Sequence, residues 1–271
     1  MLPGIYSKSI AAAVPACVWM LLTAHAQAQG FAAVVSPPRF ELSVKPGERV
    51  REVVEISNAS PQSATYHVRT GDWTLGADAG VTFSDRLAAG SCRPWVAIER
   101  RDIVVPGGGR YRYRFEVTPP ADAPAGECRF ALLIEGDEQI VKAPGGVNIP
   151  VSGRIGVIVY LTVGAATPEL QIVGTGIGET NGRQVPVLQV RNTGNAHGRL
   201  TGFLSGVDAT GRTLDFTPST LPILPDETRQ IPLVASTAPD TPADVVYPVR
   251  VRGTLEWGAG KRTELDQVFA R

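Results

Sequence analysis

The chain has 271 residues and no net formal charge at pH 7, because 26 Lys and Arg balance 26 Asp and Glu. It therefore lacks the basic footprint that binding to nucleic acid requires, and it has no acidic tail. Its 29 Gly and 22 Pro are spread along the sequence instead of collecting in one linker. This spacing of turn residues is typical of sandwiches and barrels and predicts an all-β protein.

The first 28 residues have the layout of a secretory signal peptide. Lys8 precedes an apolar run at residues 10–22, and Ala26-Gln27-Ala28 supplies the small residues of a cleavage site. The run is too short to span a bilayer of ~30 Å as an ordinary helix, which disfavours the alternative of an N-terminal membrane anchor. The sequence therefore predicts export, with no stable membrane insertion once residues 1–28 have been removed.

Two cysteines remain in the mature chain, Cys92 and Cys128. A pair of cysteines in an oxidising compartment favours a disulfide, and two buried free thiols are the alternative. Each cysteine is expected at the start of a strand, which would bring the two to the same end of a sandwich.

Short runs of β-branched and aromatic residues predict about seven strands in each half of the mature chain. The run Arg110–Val117 alternates strictly between apolar and charged residues, which indicates a half-buried antiparallel strand. The second half has the same pattern of short strand-forming runs separated by turn residues, and Asp208–Gly211 predicts a hairpin turn. We therefore expect two immunoglobulin-like β-sandwich domains in tandem, at residues 29–163 and 164–271.

Residue patterns that would indicate catalysis are weak. His67 and His197 are the histidines of the mature chain, and neither has the nearby Cys, Asp or Glu that a metal site needs. The sequence has no Gly-x-Ser-x-Gly nucleophile motif and no close pair of carboxylates suited to acid–base chemistry. The glycine-rich residues 174–178 lead into a turn instead of a helix, so they do not predict a phosphate site. We expect a protein that is not an enzyme and that needs no cofactor or metal.

One short segment predicts a binding strand. Val147, Ile149 and Val151 lie on one face of a strand, and Pro150 between them has no N–H to donate, which suits an edge position. An open apolar edge would pair with another chain by strand addition. Alternation alone leaves a second interpretation open, in which these three side chains pack the protein's own core.

Three segments resemble the PapD-like periplasmic chaperones of the chaperone–usher pilus pathway. Residues 36–47 (SPPRFELSVKPG) and 53–58 (VVEISN) look like the first two strands of that family, and Trp73 is at the place of a core Trp. Residues 146–156 (GVNIPVSGRIG) look like the last strand of its first domain. The resemblance implies a periplasmic chaperone that lends residues 147–151 to an incomplete pilin-type subunit and delivers it to an outer-membrane usher.

The same resemblance implies two cations that hold the client's C-terminal carboxylate in the cleft between the domains. The first cation matches Arg39, whereas the position of the second, a lysine in the family, is occupied by Gly156. Arg154 lies two residues earlier on the same strand face and is predicted to make the charge-assisted contact instead. The alternative function is an exported immunoglobulin-like envelope or adhesive protein without chaperone activity.

Overall fold

The computed structural model describes residues 31–142, 146–238 and 241–271, so the signal peptide predicted at residues 1–28 lies outside the described residues. Within these ranges the chain consists of strands, their connections and one short 3-10 helix at Arg93–Trp95. In the part of the chain that is described, no helix is long and apolar enough to cross a membrane. The predicted all-β class is confirmed.

The first domain contains twelve strands that form two facing sheets and one further hairpin. They are β1 (Ala33–Ser36), β2 (Arg39–Val44), β3 (Val50–Asn58), β4 (Ala64–Leu75), β5 (Val81–Ser84), β6 (Val96–Ile98), β7 (Asp102–Val105), β8 (Arg110–Val117), β9 (Gly126–Gly136), β10 (Gln139–Lys142), β11 (Asn148–Val151) and β12 (Arg154–Val163). One sheet has the order β1, β3, β8, β6, and the other has the order β2, β12, β9, β4, β5, with β7 also pairing with β4. The strand number exceeds the expected seven partly because the last hairpin is interrupted, so that β9 continues as β10 and β11 continues as β12.

Alternation along the strands builds the core between these two sheets. In β8 the side chains of Tyr113, Phe115 and Val117 are buried, whereas the three arginines of the opposite face are exposed, as the sequence predicts. The ring of Phe115 packs edge-on against Phe40 of β2 at a centroid distance of 5.3 Å and against Phe130 of β9 at 6.2 Å. Burial of each large apolar side chain contributes about 1.5–3 kcal/mol, so this aromatic cluster joins the two sheets.

The disulfide between Cys92 and Cys128 is present, with the two Cα atoms 5.6 Å apart. Cys92 immediately precedes the 3-10 helix and is fully buried in the core, and Cys128 lies near the start of β9. The bond therefore joins a connecting segment to the central sheet.

The second domain contains eight strands around its own core. They are β13 (Leu170–Thr180), β14 (Arg183–Asn192), β15 (Thr201–Val207), β16 (Thr213–Pro218), β17 (Thr228–Ala238), β18 (Thr241–Pro242), β19 (Val249–Trp257) and β20 (Lys261–Phe269). Their order is β13, β14, β17, β16, β15, β19, β20, and β18 pairs with β17. The hairpin predicted at Asp208–Gly211 joins β15 to β16.

Strands of the two halves pair only within their own half in the described residues. The predicted boundary between residues 163 and 164 falls at the end of β12, and β13 begins at Leu170. The tandem arrangement of two β-sandwich domains is thus confirmed.

We expect the double variant Cys92→Ala, Cys128→Ala to lower the free energy of unfolding by about 3–4 kcal/mol, because the disulfide closes a loop of 36 residues in the unfolded chain. Urea denaturation followed by fluorescence measures the change. Reducing agent should bring the wild-type protein to the level of the variant and leave the variant unaffected. Equal stability of the oxidised wild type and the variant would contradict the prediction.

Candidate protein-binding site

The strand predicted to bind a partner lies in a hairpin that extends β9 and β12 beyond the sandwich. β10 pairs with β11 in antiparallel register, with Val141 opposite Ile149 and Ile140 opposite Pro150. The amide of Gly136 donates a hydrogen bond of 3.1 Å to the carbonyl of Gly153, which joins the extension to the sheet. β11 has β10 as its single partner strand among the described residues, so its other edge is open for pairing.

The apolar face of β11 is exposed. Val147, Ile149 and Val151 retain 61%, 45% and 49% of their accessible surface, and none of them belongs to either hydrophobic core. The interpretation in which these side chains pack the protein's own core is therefore wrong. Ile140 on β10 is also 59% exposed, which makes the hairpin apolar on more than one strand.

Two contacts hold the base of this hairpin. The ring of Phe31 lies over Gly136 and Gly153, where an added Cβ atom would come within 2.8 Å and 2.1 Å of it. His67 on β4 contacts Asp102 through Nδ1 at 2.7 Å and Asp137 through Nε2 at 2.8 Å. Since Asp137 lies between β9 and β10, the imidazole links the hairpin base to the edge of the sandwich.

The outer face of the β2–β12–β9–β4 sheet carries two separate groups of charged side chains. In the group nearer the hairpin, three residues lie side by side on neighbouring strands, with Arg154 of β12 opposite Glu135 of β9 and Glu135 opposite His67 of β4. Arg39 is opposite Ile158, four residues farther along β12. At about 3.3 Å per residue, Arg154 and Arg39 begin from backbone positions ~13 Å apart along the strand.

Arg154 is engaged by Glu135 in this structure. Its Nε donates to Glu135 Oε1, and Arg69 donates to the same carboxylate from both Nε (3.1 Å) and Nη2 (3.0 Å). The hydrogen bond from Arg69, and then the one from Arg154, hold the pKa of Glu135 below its ordinary value, although burial opposes this. The predicted anchor Arg154 thus already has a partner, and its role in binding a client stays a prediction.

The absence of a side chain at Gly156 has a local cause. A Cβ atom at this position would lie 2.1 Å from Cζ of Phe83, a residue of the edge strand β5. The phenyl ring covers the place from which a lysine at position 156 would extend. At this position of β12 the sheet surface is therefore covered by an aromatic ring instead of carrying a cation.

The second charged group lies where the two domains meet and surrounds Glu41 of β2. Its Oε1 atom is 3.0 Å from Arg39 Nε, 3.7 Å from His197 Nε2 and 3.7 Å from Arg199 Nε. Arg39 belongs to the first domain, whereas His197 and Arg199 belong to the second. One carboxylate thus lies among cationic or potentially cationic groups of both domains.

Tyr160 of β12 forms the floor of this cleft. The imidazole of His197 stacks on its ring at a centroid distance of 3.9 Å, and the guanidinium of Arg199 lies 5.8 Å from the ring centre. Burial raises the pKa of Tyr160, while Arg199 is the foremost of the cations that lower it. The fully buried carboxylate of Glu127 accepts a hydrogen bond of 3.0 Å from the backbone amide of His197, which fixes that residue against β9.

A cavity of about 350 Å³ opens beside Tyr160 between the domains. It is lined by side chains from both, including Glu41, Glu127, His197 and Arg199. Among the described residues, Arg199 Nε and Glu127 Oε1 are buried atoms without a hydrogen-bond partner. The cleft thus contains a cavity, acidic and basic side chains, and a buried N–H donor that has no acceptor.

Sequence reasoning missed the contribution of the second domain to this cleft. His197 and Glu127 are 70 residues apart in sequence, so no local spacing relates them.

The environment of Trp73 also differs from the expected position in the sandwich core. It is buried, but it packs edge-on against Tyr160 at 5.3 Å on the outer face of the sheet and lies outside the main sandwich core. The described residues contain no group of three His, Cys, Asp or Glu arranged to hold a metal ion.

A search of solved structures returns fimbrial chaperones. The class 5 fimbriae chaperone CfaA is 14% identical, with 88% of this chain and 99% of that chain covered and a TM-score of 0.46. The CupB2 chaperone of Pseudomonas aeruginosa is 13% identical over 88% and 100% of the two chains, with a TM-score of 0.45. A chain of the Salmonella enterica complex of SafA pilin with the SafB chaperone is 13% identical over 88% and 96%, with a TM-score of 0.44.

In fold, this chain is similar to these fimbrial chaperones. No protein-family model matches it, and no curated protein matches it. At such low identities the likeness concerns the fold and assigns no role to any residue of this chain.

We expect the link between His67 and Asp137 to weaken as the pH rises. Hydrogen bonds to Asp102, then to Asp137, raise the pKa of His67 above its ordinary 6.5. A raised pKa in the folded state stabilises the protein fully below the unfolded value, and this contribution is lost as the pH rises through the folded pKa. An NMR titration of the His67 ring should show a midpoint above 6.5 that falls in the Asp137→Asn variant. A wild-type midpoint at or below 6.5 would contradict the prediction.

The contact between Phe83 and Gly156 also makes a testable prediction. We expect Gly156→Ala to cost about 1–3 kcal/mol of stability, because the phenyl ring must move to admit the methyl group. The cost should be smaller in a Phe83→Ala background, since two residues in contact are not additive. Gly176→Ala on β13 is the control, because its new Cβ would meet no atom within 4 Å. Equal costs in both backgrounds, measured by urea denaturation, would contradict the proposed contact.

Proposed function

We propose that this protein is a periplasmic chaperone that completes the fold of pilin-type subunits by donating strand β11 and then delivers them to an outer-membrane usher. The observation that carries the proposal is the exposure of Ile149 and Val151 on β11, and of Val147 immediately before it, on a strand with one open edge among the described residues. Apolar edge strands are normally covered or charged, because they pair with other chains. An exported protein that leaves one open is suited to bind a chain that lacks a strand.

The three side chains also match what an incomplete sandwich needs. They repeat at every second residue, which is the period of the inner face of a strand. Complete burial of a Val or Ile side chain contributes about 1.5–3 kcal/mol, so covering the three exposed faces would contribute several kcal/mol before main-chain hydrogen bonds are counted. No nucleotide or metal is called for, because the client's own completion of folding supplies the free energy. The proposed activity is therefore not enzymatic.

The open edge continues from β11 towards the cleft. β2 begins to pair with β12 at Ile158, nine residues beyond Ile149. At about 3.3 Å per residue, this distance is ~30 Å. A client strand of about ten residues that pairs along this edge would thus bring its end close to Arg39, the predicted carboxylate anchor. Arg154, the second anchor expected from the sequence, would have to leave Glu135 to take part.

Co-expression with candidate pilin subunits tests the proposal. We expect a 1:1 complex that co-purifies with the wild-type protein and is lost with Val147→Asp, Ile149→Asp or Val151→Asp, because each change places a charge on the donated face. The exposed side chains contribute little to the protein's own core, so its thermal stability should change little. Val173→Asp is the matched control, since Val173 is 52% exposed on β13 of the second domain.

Two outcomes would contradict the chaperone proposal. A complex that survives all three substitutions would exclude β11 as the binding element. A protein that forms no complex and is merely destabilised by the substitutions would favour the alternative of an envelope or adhesive protein.

The predicted anchors have a separate test. We expect Arg39→Ala to weaken subunit binding about tenfold or more, because a charge-assisted hydrogen bond contributes about 1.5–3 kcal/mol. Arg154→Ala tests the second anchor expected from the sequence in the same binding titration. If both variants bind the subunit as tightly as the wild type does, the anchoring model is wrong.

A further inference from the structure

Arg199 of the second domain has the features of an anion-binding residue. Its side chain is only 20% exposed, and its Nη1 atom donates a hydrogen bond of 2.6 Å to the carbonyl of Thr220. Its Nε atom is buried and has no hydrogen-bond partner in the described part of the chain. A buried donor without an acceptor carries a desolvation penalty that an approaching carboxylate would remove.

The carboxylate of Glu41 approaches Arg199 but does not reach hydrogen-bond distance. Its Oε1 atom is 3.0 Å from Arg39 Nε, within hydrogen-bond range, and 3.7 Å from Arg199 Nε, which is too long for a hydrogen bond. The side chain of Glu41 is 47% exposed, so it can turn towards solvent with little loss of buried contact. The adjoining cavity of about 350 Å³ is lined by both Glu41 and Arg199.

We propose that the Glu41 carboxylate occupies the place of the client's C-terminal carboxylate, and that Arg39 and Arg199 bind that carboxylate when it displaces Glu41. This inference rests on the proposed chaperone function and names the second cation and an internal competitor for its site. The two cations come from different domains, so a bound carboxylate would bridge them. Glu41 keeps the two guanidinium groups near a negative charge while no client is bound.

The positions of the side chains favour Arg199 over Arg154 as the second cation. Arg154 begins ~13 Å from Arg39 along the sheet and is held by Glu135. Arg199 and Arg39 already approach the same oxygen atom of Glu41. Phe83 covers the remaining position on β12, at Gly156. The cation that completes the pair therefore comes from the opposite wall of the cleft.

The full-length mature protein can be tested with a synthetic ten-residue peptide of alternating Val and Thr that ends in Phe, made as a free acid and as a C-terminal amide. We expect isothermal titration calorimetry to show about tenfold tighter binding of the acid to the wild type, because only the acid offers a charged acceptor. Arg199→Gln should abolish this preference, and Arg199→Lys should restore part of it. Glu41→Gln should increase the preference for the acid, because the internal competitor has lost its charge.

Several results would overturn the inference. They are equal affinity of the wild type for both peptides, binding of neither, weaker binding of the acid to Glu41→Gln, and loss of the preference in Arg154→Gln but not in Arg199→Gln. Arg250→Gln controls for a general loss of positive charge, since Arg250 is an exposed residue paired with Asp266 on the second domain. The amide peptide separates this inference from the proposed function. If the amide binds and binding is lost with Ile149→Asp, strand donation stands although the carboxylate site fails.

Discussion

The pairing of β12 with both β9 and β2 is the constraint on which the rest of the structure depends. Alternate residues of this strand point to opposite faces of the sheet, so Val157, Val159 and Leu161 enter the core of the first domain while Tyr160 faces the second. β2 pairs with β12 only from Ile158 onwards. Among the described residues, the earlier part of β12 and all of β11 therefore keep one edge open. The strands that complete the first domain thus lead directly into the segment proposed to bind a client.

The contacts between the domains lie on the outer face of this sheet, the face that carries Tyr160. Glu127 on β9 is buried against the amide of His197, and Arg229 of the second domain donates a hydrogen bond of 2.9 Å to the carbonyl of Gly76 between β4 and β5. Leu224 packs with the Trp73 and Tyr160 cluster. These contacts bring cations of the second domain beside β2. A cleft with acidic and basic groups results, although the chain as a whole has no net charge.

Much of the fold could be predicted from local patterns. The alternation of Arg110–Val117 reports one buried and one exposed face, because side chains in a strand alternate with a period of two residues. The proline at position 150 indicated an edge strand, since proline removes a ladder donor. The disulfide followed from an isolated pair of cysteines in a chain expected to be exported. These signals lie in neighbouring residues or in composition, and the structure contains the corresponding strands and bond.

The sequence by itself thus determined the all-β class, the two domains and the apolar face of residues 147–151. It left open whether that face is buried, because alternation is the same for a strand in a core and a strand at an edge. Only the tertiary structure decided this, since exposure depends on which strands lie opposite. It likewise brought Arg39, Glu41 and Arg199 together and placed Phe83 over Gly156. Such contacts join residues far apart in the chain, and their proximity is set by the packing of sheets and domains.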